Sequence, residues 1–208
     1  MELGYISGMK KHMHDHRHRN HTRLQPFTLL VIITIAIVAV AGFIQGKKHT
    51  RRGKIPMLAD LHLTCSAFKA DGTMPEKYTY KGANMSPPLS ISGTPEGTLS
   101  LALIAHDSDA PDGDFVHWTM WNINPNTTSI AENKVPTGAL QGTNGFGDIG
   151  YGGPYPPAGS GTHHYHFDLY ALRSILDVPA GAKRQELMKA IEAHAIGRTQ
   201  LVGTFSAD

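Results

Sequence analysis

Eighteen consecutive uncharged and mostly apolar residues, Phe27 to Ile44, divide this chain more firmly than any other feature. At ~1.5 Å per residue, a helix of that length spans about 27 Å, close to the ~30 Å hydrocarbon core of a bilayer. A helix packed on a soluble core carries a polar stripe, and this run has none. It reads as a membrane segment. Basic residues before it and Ala39-Val40-Ala41 within it also fit a signal peptide. The run continues through Phe43 and Ile44 after a long basic start, so an uncleaved anchor is favoured over cleavage. Five Lys+Arg lie on each side of the run, the C-terminal five nearer to it. The positive-inside rule therefore pulls weakly toward the opposite topology. A signal-like start still delivers the C-terminal domain across a membrane. The expected location is a bacterial inner membrane, single-pass, with the soluble part in the periplasm; the alternative is cleavage and release to the periplasm.

The chain divides into four regions: a basic His-rich tail (1–26), the membrane or signal segment (27–44), a basic linker (45–57) and a folded domain (58–208). The tail holds His12, His14, His16, His18 and His21. It reads as a solvated basic tail rather than a metal-binding tract, because no fixed geometry is implied. The linker, Lys47 to Lys54, could rest on anionic headgroups.

The formal charge of +2 hides a split. Residues 1–54 hold ten of the 19 Lys+Arg and only two of the 17 Asp+Glu, so the remainder is acidic. An acidic domain has the wrong sign for a phosphate backbone, and nucleic acid is excluded as its partner. The lone cysteine, Cys65, cannot form an internal disulfide and reads as an inert, half-buried thiol.

Seventeen of the 22 glycines and twelve of the 13 prolines lie beyond residue 54. Short apolar runs between Gly/Pro/Asn/Asp clusters predict a mainly β domain with long loops. Leu99 to Ala105 alternates, placing Leu99, Leu101, Leu103 and Ala105 on one face. Val116–Ile123, Tyr165–Leu172 and Leu201–Phe205 also read as strands. One segment, Lys183–Ile196, has helical spacing, with Leu187, Ala190, Ile191 and His194 on one stripe and Gly197 at the cap position.

Polar groups concentrate in Asp107-Ser108-Asp109-Ala110-Pro111, in His117-Trp118, and in Gly150 to Pro157 followed by Gly161 to Phe167. By strand alternation, His117 shares a face with Thr119 and Trp121. His163 shares one with Tyr165, Phe167 and Leu169, while His164 and His166 face away. Two imidazoles and a phenol offer donors for phosphate oxygens, and a nearby carboxylate suits an ammonium. Together they suit a small zwitterion.

These motifs, with Ser66-Ala67-Phe68, Gly82 to Leu89, Gln141 to Asn144 and Gly152-Gly153-Pro154-Tyr155-Pro156-Pro157, resemble the phosphatidylethanolamine-binding protein family in its bacterial Raf-kinase-inhibitor-like branch. The resemblance implies a large central sheet, a smaller packed sheet and a C-terminal helix, here preceded by one N-terminal membrane helix. It also implies a ligand pocket lined by Asp107, Asp109, Pro111, His117, His163 and Tyr165, with Gly153 and Pro156 as a wall. Three residues depart from the family pattern. Ser108 replaces a proline, which loosens the Asp pair. Tyr155 replaces a small residue or Cys and would narrow or cap the pocket. His164 replaces an Arg and, facing away, is expected to affect packing or charge.

The expected function is a membrane-tethered or exported binding protein, not an enzyme, with a pocket for phosphate-bearing or other anionic ligands such as phospholipid head groups. A regulatory protein binding an anionic or phosphorylated protein partner is the alternative. A metal-assisted hydrolase using Asp107, Asp109, His117 and His163 is a weaker one, as no H-E-x-x-H, G-x-S-x-G or P-loop is present. No metal, cofactor or catalytic residue is expected.

Overall fold

A computed structural model describes residues 54–207. The His-rich tail, the 27–44 segment and most of the basic linker lie outside the described residues. Among the described residues, no helix is long and apolar enough to cross a membrane.

In chain order the elements are β1 (His62–Cys65), β2 (Gly72–Thr73), β3 (Leu89–Ser92), β4 (Ser100–Asp107), β5 (Phe115–Ile123), β6 (Ser129–Ile130), β7 (Leu140–Thr143), β8 (His163–Leu172), β9 (Gly181–Lys183), α1 (Arg184–His194) and β10 (Ala195–Phe205). Seven strands form one sheet in the order β2-β10-β8-β4-β5-β7-β9, and three form a second in the order β1-β3-β6. The fold is mainly β, with a large mixed sheet, a smaller sheet and one C-terminal helix, as the motifs implied.

The large sheet is covered on both faces, so β4 and most of β8 are buried along their length. On one face Leu101, Leu103, Ala105, Phe167 and Leu169 pack with Leu63, Leu89 and Ile91 of the small sheet. On the other, Ala102, Ile104, Trp121 and Leu172 pack with Leu187 and Ile191 of α1. Burying one such side chain contributes about 1.5–3 kcal/mol. Two facing layers therefore hold the domain without a disulfide; Cys65 is half-buried, and burial raises its thiol pKa.

Several local expectations need correction. Leu99 lies outside β4 and is 56% exposed, because the strand begins at Ser100 after the Leu99 N–H has bonded to the Leu172 carbonyl. Gly197 does not cap the helix. α1 ends at His194, and Gly197 lies inside β10, where a Cβ would come within 2.4 Å of Leu58 Cγ. Its missing side chain makes room for Leu58 instead. β10 was legible only from Leu201, because its first half alternates glycine and polar residues whose buried members are Gly197 and Thr199. Residues placed in the linker also join the fold: Ile55 packs against the α1 layer, and the Pro56 carbonyl accepts the Arg198 N–H.

Candidate functional site

The ends of three central strands make the site. β4 ends at Asp107, β8 begins at His163, and β5 begins at Phe115. Asp107 pairs with Tyr165 across β4–β8, so the carboxylate, His163 and Tyr165 meet on the face toward the small sheet.

His117 reaches that face for a reason alternation could not show. Ala105 pairs with Trp118 but His106 pairs with Val116, which leaves His117 as the extra residue of a β-bulge. A bulge re-aims a side chain and resets the alternation. Thr119 is followed by Trp121 in the α1-side core, whereas His117 packs edge-on against Tyr165 with ring centroids 5.2 Å apart. The predicted grouping of His117 with Thr119 and Trp121 is therefore overturned, and its predicted meeting with Tyr165 holds because of the bulge.

A cavity of about 230 Å³ opens here. Asp107, His117 and His163 form its polar floor, and Pro111, Pro156 and Pro157 line its sides. Ala110, Asp112, Phe115, Phe146 and Tyr155 complete it. Tyr165 lies beneath His117 rather than in the lining. Its hydroxyl is buried without a protein hydrogen-bond partner, and burial, then the Asp107 charge, raises its pKa above the phenol range.

Each oxygen of Asp107 has one protein partner. Its Oδ1 accepts the Asp109 N–H at 2.8 Å, and its Oδ2 lies 2.7 Å from His163 Nδ1. The other ring nitrogen of His163 lies 2.9 Å from Ser160 Oγ. His117 Nδ1 donates to the Gly152 carbonyl at 2.6 Å. Burial lowers the His117 pKa, opposed by that carbonyl and by Asp107, so the ring is neutral and its single proton sits on Nδ1. Its Nε2 is then an acceptor. Residue type alone suggests that both imidazoles donate to a ligand. The structure commits the ring N–H of His117 to Gly152 and both ring nitrogens of His163 to protein oxygens.

Besides Tyr165, two predicted residues stand away from the lining. Asp109 is exposed, and its Oδ2 accepts from the His164 backbone N–H and lies 2.8 Å from His164 Nδ1. Those hydrogen bonds hold its carboxyl below the usual range. The outward direction foreseen for His164 is observed. Gly153 works from behind the wall: its N–H donates to Asn84 Oδ1 at 2.8 Å, and a Cβ there would lie 2.2 Å from the Tyr78 carbonyl. Ser108, in place of proline, bonds to His166 Nε2 at 3.0 Å on the opposite face. The four residues of the metal reading are thus not gathered, since Asp109 turns out toward His164.

Asp112, Phe115 and Phe146 were missed. Phe146 sits between Gly145 and Gly147 in a loop that Asn144 folds by accepting the N–H groups of Phe146 and Asp148. A Cβ on Gly145 would meet the Phe115 ring at 2.4 Å. An aromatic residue flanked by glycines in a polar loop was the available signal. Phe146 stacks on Tyr80 at 4.5 Å, and Tyr80 on Tyr155 at 5.5 Å. Tyr155 and Pro156 also wall a second cavity of about 360 Å³, lined by Glu76, Thr79 and Lys81. Lys81 Nζ stands 5.0 Å from the Tyr155 ring centroid.

Comparison with known proteins agrees with this fold. Residues 64–206 match the family described as Phosphatidylethanolamine-binding protein. UPF0098 protein PH1269 of Pyrococcus horikoshii is 46% identical over 183 residues, covering 85% of this chain and 87% of that one. A Mycobacterium tuberculosis protein named "Putative lipoprotein LppC" is 41% identical over 150 residues, 72% of this chain and 74% of its own. The crystal structure of E. coli YbcL, described as a new member of the mammalian PEBP family, superposes with a TM-score of 0.69 at 31% identity, covering 72% of this chain and 100% of that one. The chain belongs to the phosphatidylethanolamine-binding protein family.

Proposed function

We propose that the domain is a binding protein whose cavity takes a small phosphate-bearing zwitterion, of the kind found as a phospholipid head group, with the amine end innermost. One observation carries this reading. The cavity lining holds two carboxylates, Asp107 and Asp112, and no Lys or Arg. An ammonium supplies what that floor lacks: positive charge for Asp107 and an N–H donor for His117 Nε2. The faces of Phe115, Phe146 and Tyr155 add cation–π attraction worth about 0.5–2 kcal/mol. The phosphate end then lies toward the Tyr155–Pro156 wall, where Lys81 is the basic side chain of the adjoining cavity.

The envelope is the proposed location. Its support is the apolar run at 27–44 and the lipoprotein name of one relative. A regulatory role would use the same cavity for an anionic segment of a partner protein, but no residue here favours a particular partner.

Calorimetric titration of the full-length protein with phosphoethanolamine tests the reading. Saturable heat is expected, weakened at least tenfold in His117→Ala. A flat titration, or unchanged affinity in the variant, would overturn it.

A further inference from the structure

Ser160 lies between Gly159 and Gly161 in the loop that leads from the Pro157 wall of the cavity into β8. Its Oγ is 2.9 Å from His163 Nε2, and His163 Nδ1 is 2.7 Å from Asp107 Oδ2. Hydroxyl, imidazole and carboxylate stand in series, each touching a different nitrogen of one ring. That is the order of groups through which a serine oxygen is activated on unrelated folds. We infer that Ser160 is the nucleophile of an ester-cleaving site, with His163 as its base and Asp107 as the group that orients the base, acting on small neutral carboxylic esters.

The burial pattern suits the roles. The side chains of His163 and Asp107 are 3% and 5% exposed, while Ser160 is exposed. The base and its orienting carboxylate are fixed, and the nucleophile is reachable. Asp107 cannot swing away, because its second oxygen holds the Asp109 N–H. With Nδ1–H given to Asp107, Nε2 is the ring nitrogen that faces Ser160 Oγ as its acceptor. The hydroxyl has one alternative acceptor, the Pro157 carbonyl at 2.7 Å. Rotation about Cβ–Oγ moves its proton from that carbonyl to Nε2 with no displacement of Oγ.

The surroundings leave room for an acyl group. Gly159 and Gly161 have φ of +76° and +88°, and a Cβ at either would meet nothing within 4 Å. The Gly161 N–H has no acceptor among the described residues. The amide that follows a nucleophilic serine is a recurrent donor to the oxyanion. The cavity behind His163 is walled by Phe115, Phe146 and Pro157, with Asp112 at its edge and no basic side chain. Such a wall admits a neutral alcohol portion and repels an anionic one.

The chemistry balances with the ester and water alone. Ser160 Oγ adds to the carbonyl carbon while its proton passes to His163 Nε2. The bond from carbon to the leaving oxygen breaks, and that oxygen takes the proton from Nε2 as the free alcohol. Water then adds to the acyl-serine, giving its proton to Nε2. The acid leaves as Ser160 recovers its hydrogen.

This activity stands apart from the head-group reading, because phosphoethanolamine can occupy the cavity whether or not Ser160 reacts. The test uses the full-length protein and an alkyl fluorophosphonate, which phosphonylates activated serines and releases fluoride. Peptide mapping is expected to find one adduct, on Ser160. Hydrolysis of 4-nitrophenyl acetate should be lost in Ser160→Ala and should fall at least ~100-fold in His163→Gln. Thr162→Ala, which removes the neighbouring hydroxyl, should keep both signals. The wild-type adduct needs no variant to fold, and circular dichroism checks the variants. No adduct on Ser160 under conditions that label a serine esterase run alongside would overturn the inference. So would an adduct on Ser160 that forms equally fast in folded His163→Gln. Phosphoethanolamine heat without an adduct would remove the activity and leave the binding reading standing.

Discussion

The two faces of the central sheet carry similar residue types at the cavity end and use them differently. Toward the small sheet, Asp107 and His163 form a buried pair beside a cavity with no basic side chain. On the opposite face the neighbouring residues of the same strands build a closed ionic network. His106 bonds Asp114 through Nδ1 and Asp168 Oδ2 at 3.1 Å through Nε2. Asp168 Oδ1 accepts from Arg198 and Gln200, each at 2.9 Å, and Asp114 accepts from Arg184. His106 also stacks on His166 with centroids 5.2 Å apart. Each carboxylate of that network has an arginine. On the cavity face, Asp107 and Asp112 have none in the lining. One face has completed its charge balance within the protein, and that marks it as structural. The other has no basic side chain in its lining, and it is there that the proposed ligand's ammonium would sit.

Removing Asp168 should break the comparison most visibly. Its side chain is 5% exposed and serves three partners, so Asp168→Ala should cost about 2–4 kcal/mol of stability. Thermal denaturation would show this, while the same variant, measured while folded, should bind phosphoethanolamine normally. Burial alone would raise the Asp168 pKa, but hydrogen bonds from His106 and Gln200 and the charge of Arg198 hold it below the carboxylate range. A depressed carboxyl contributes stability above its unfolded pKa and loses it as pH falls through the folded value. Wild type should therefore lose stability below about pH 4 more steeply than Asp168→Asn.

Gly145→Ala should come next. The added methyl would lie 2.4 Å from the Phe115 ring, and such overpacking costs about 1–3 kcal/mol. If Phe115 swings into the cavity to make room, ligand affinity falls with stability, which separates this variant from Asp168→Ala.

How much of this was visible in the chain itself differs between the two faces as well. Strands β4, β5 and β8 were marked by apolar runs, and the motifs around Asp107, His117 and His163 were in plain view. What alternation could not supply was the bulge at His117, because a single extra residue reverses parity without changing composition. Nor could it show that Asp109 turns outward to His164, since that depends on the turn after β4. The ionic network was hidden for a related reason. Asp114 sits in the turn before β5, Arg184 on α1 and Arg198 on β10, and only the strand order β10-β8-β4-β5 with α1 packed on that face brings them beside His106. Ser160 was hidden in a glycine-rich loop whose closure onto His163 no local rule predicts.

A third effect lies in the titration of His117. Burial holds its pKa below the usual histidine value, so the folded state resists protonation. Its contribution is fully present above the unfolded pKa, about 6.5, and is lost as pH falls through the folded one. His117→Phe should flatten the stability profile in that window and leave the lower Asp168 window unchanged; denaturant midpoints measured across pH 4–8 would show it.

The smallest effect belongs to Tyr155, which is 50% exposed. Tyr155→Ala should leave stability within about 0.5 kcal/mol of wild type and weaken phosphoethanolamine binding about two- to fivefold. A calorimetric titration of the folded variant measures it.

That the cavity face is short of positive charge is tested most directly by a pair of ligands differing only there. Phosphoethanolamine and 2-hydroxyethyl phosphate have nearly the same shape, but only the first carries an ammonium. Titrated calorimetrically into the full-length protein at pH 7, phosphoethanolamine should bind at least tenfold more tightly. Equal affinities, or tighter binding of 2-hydroxyethyl phosphate, would show that the carboxylates of the cavity do not await a cation.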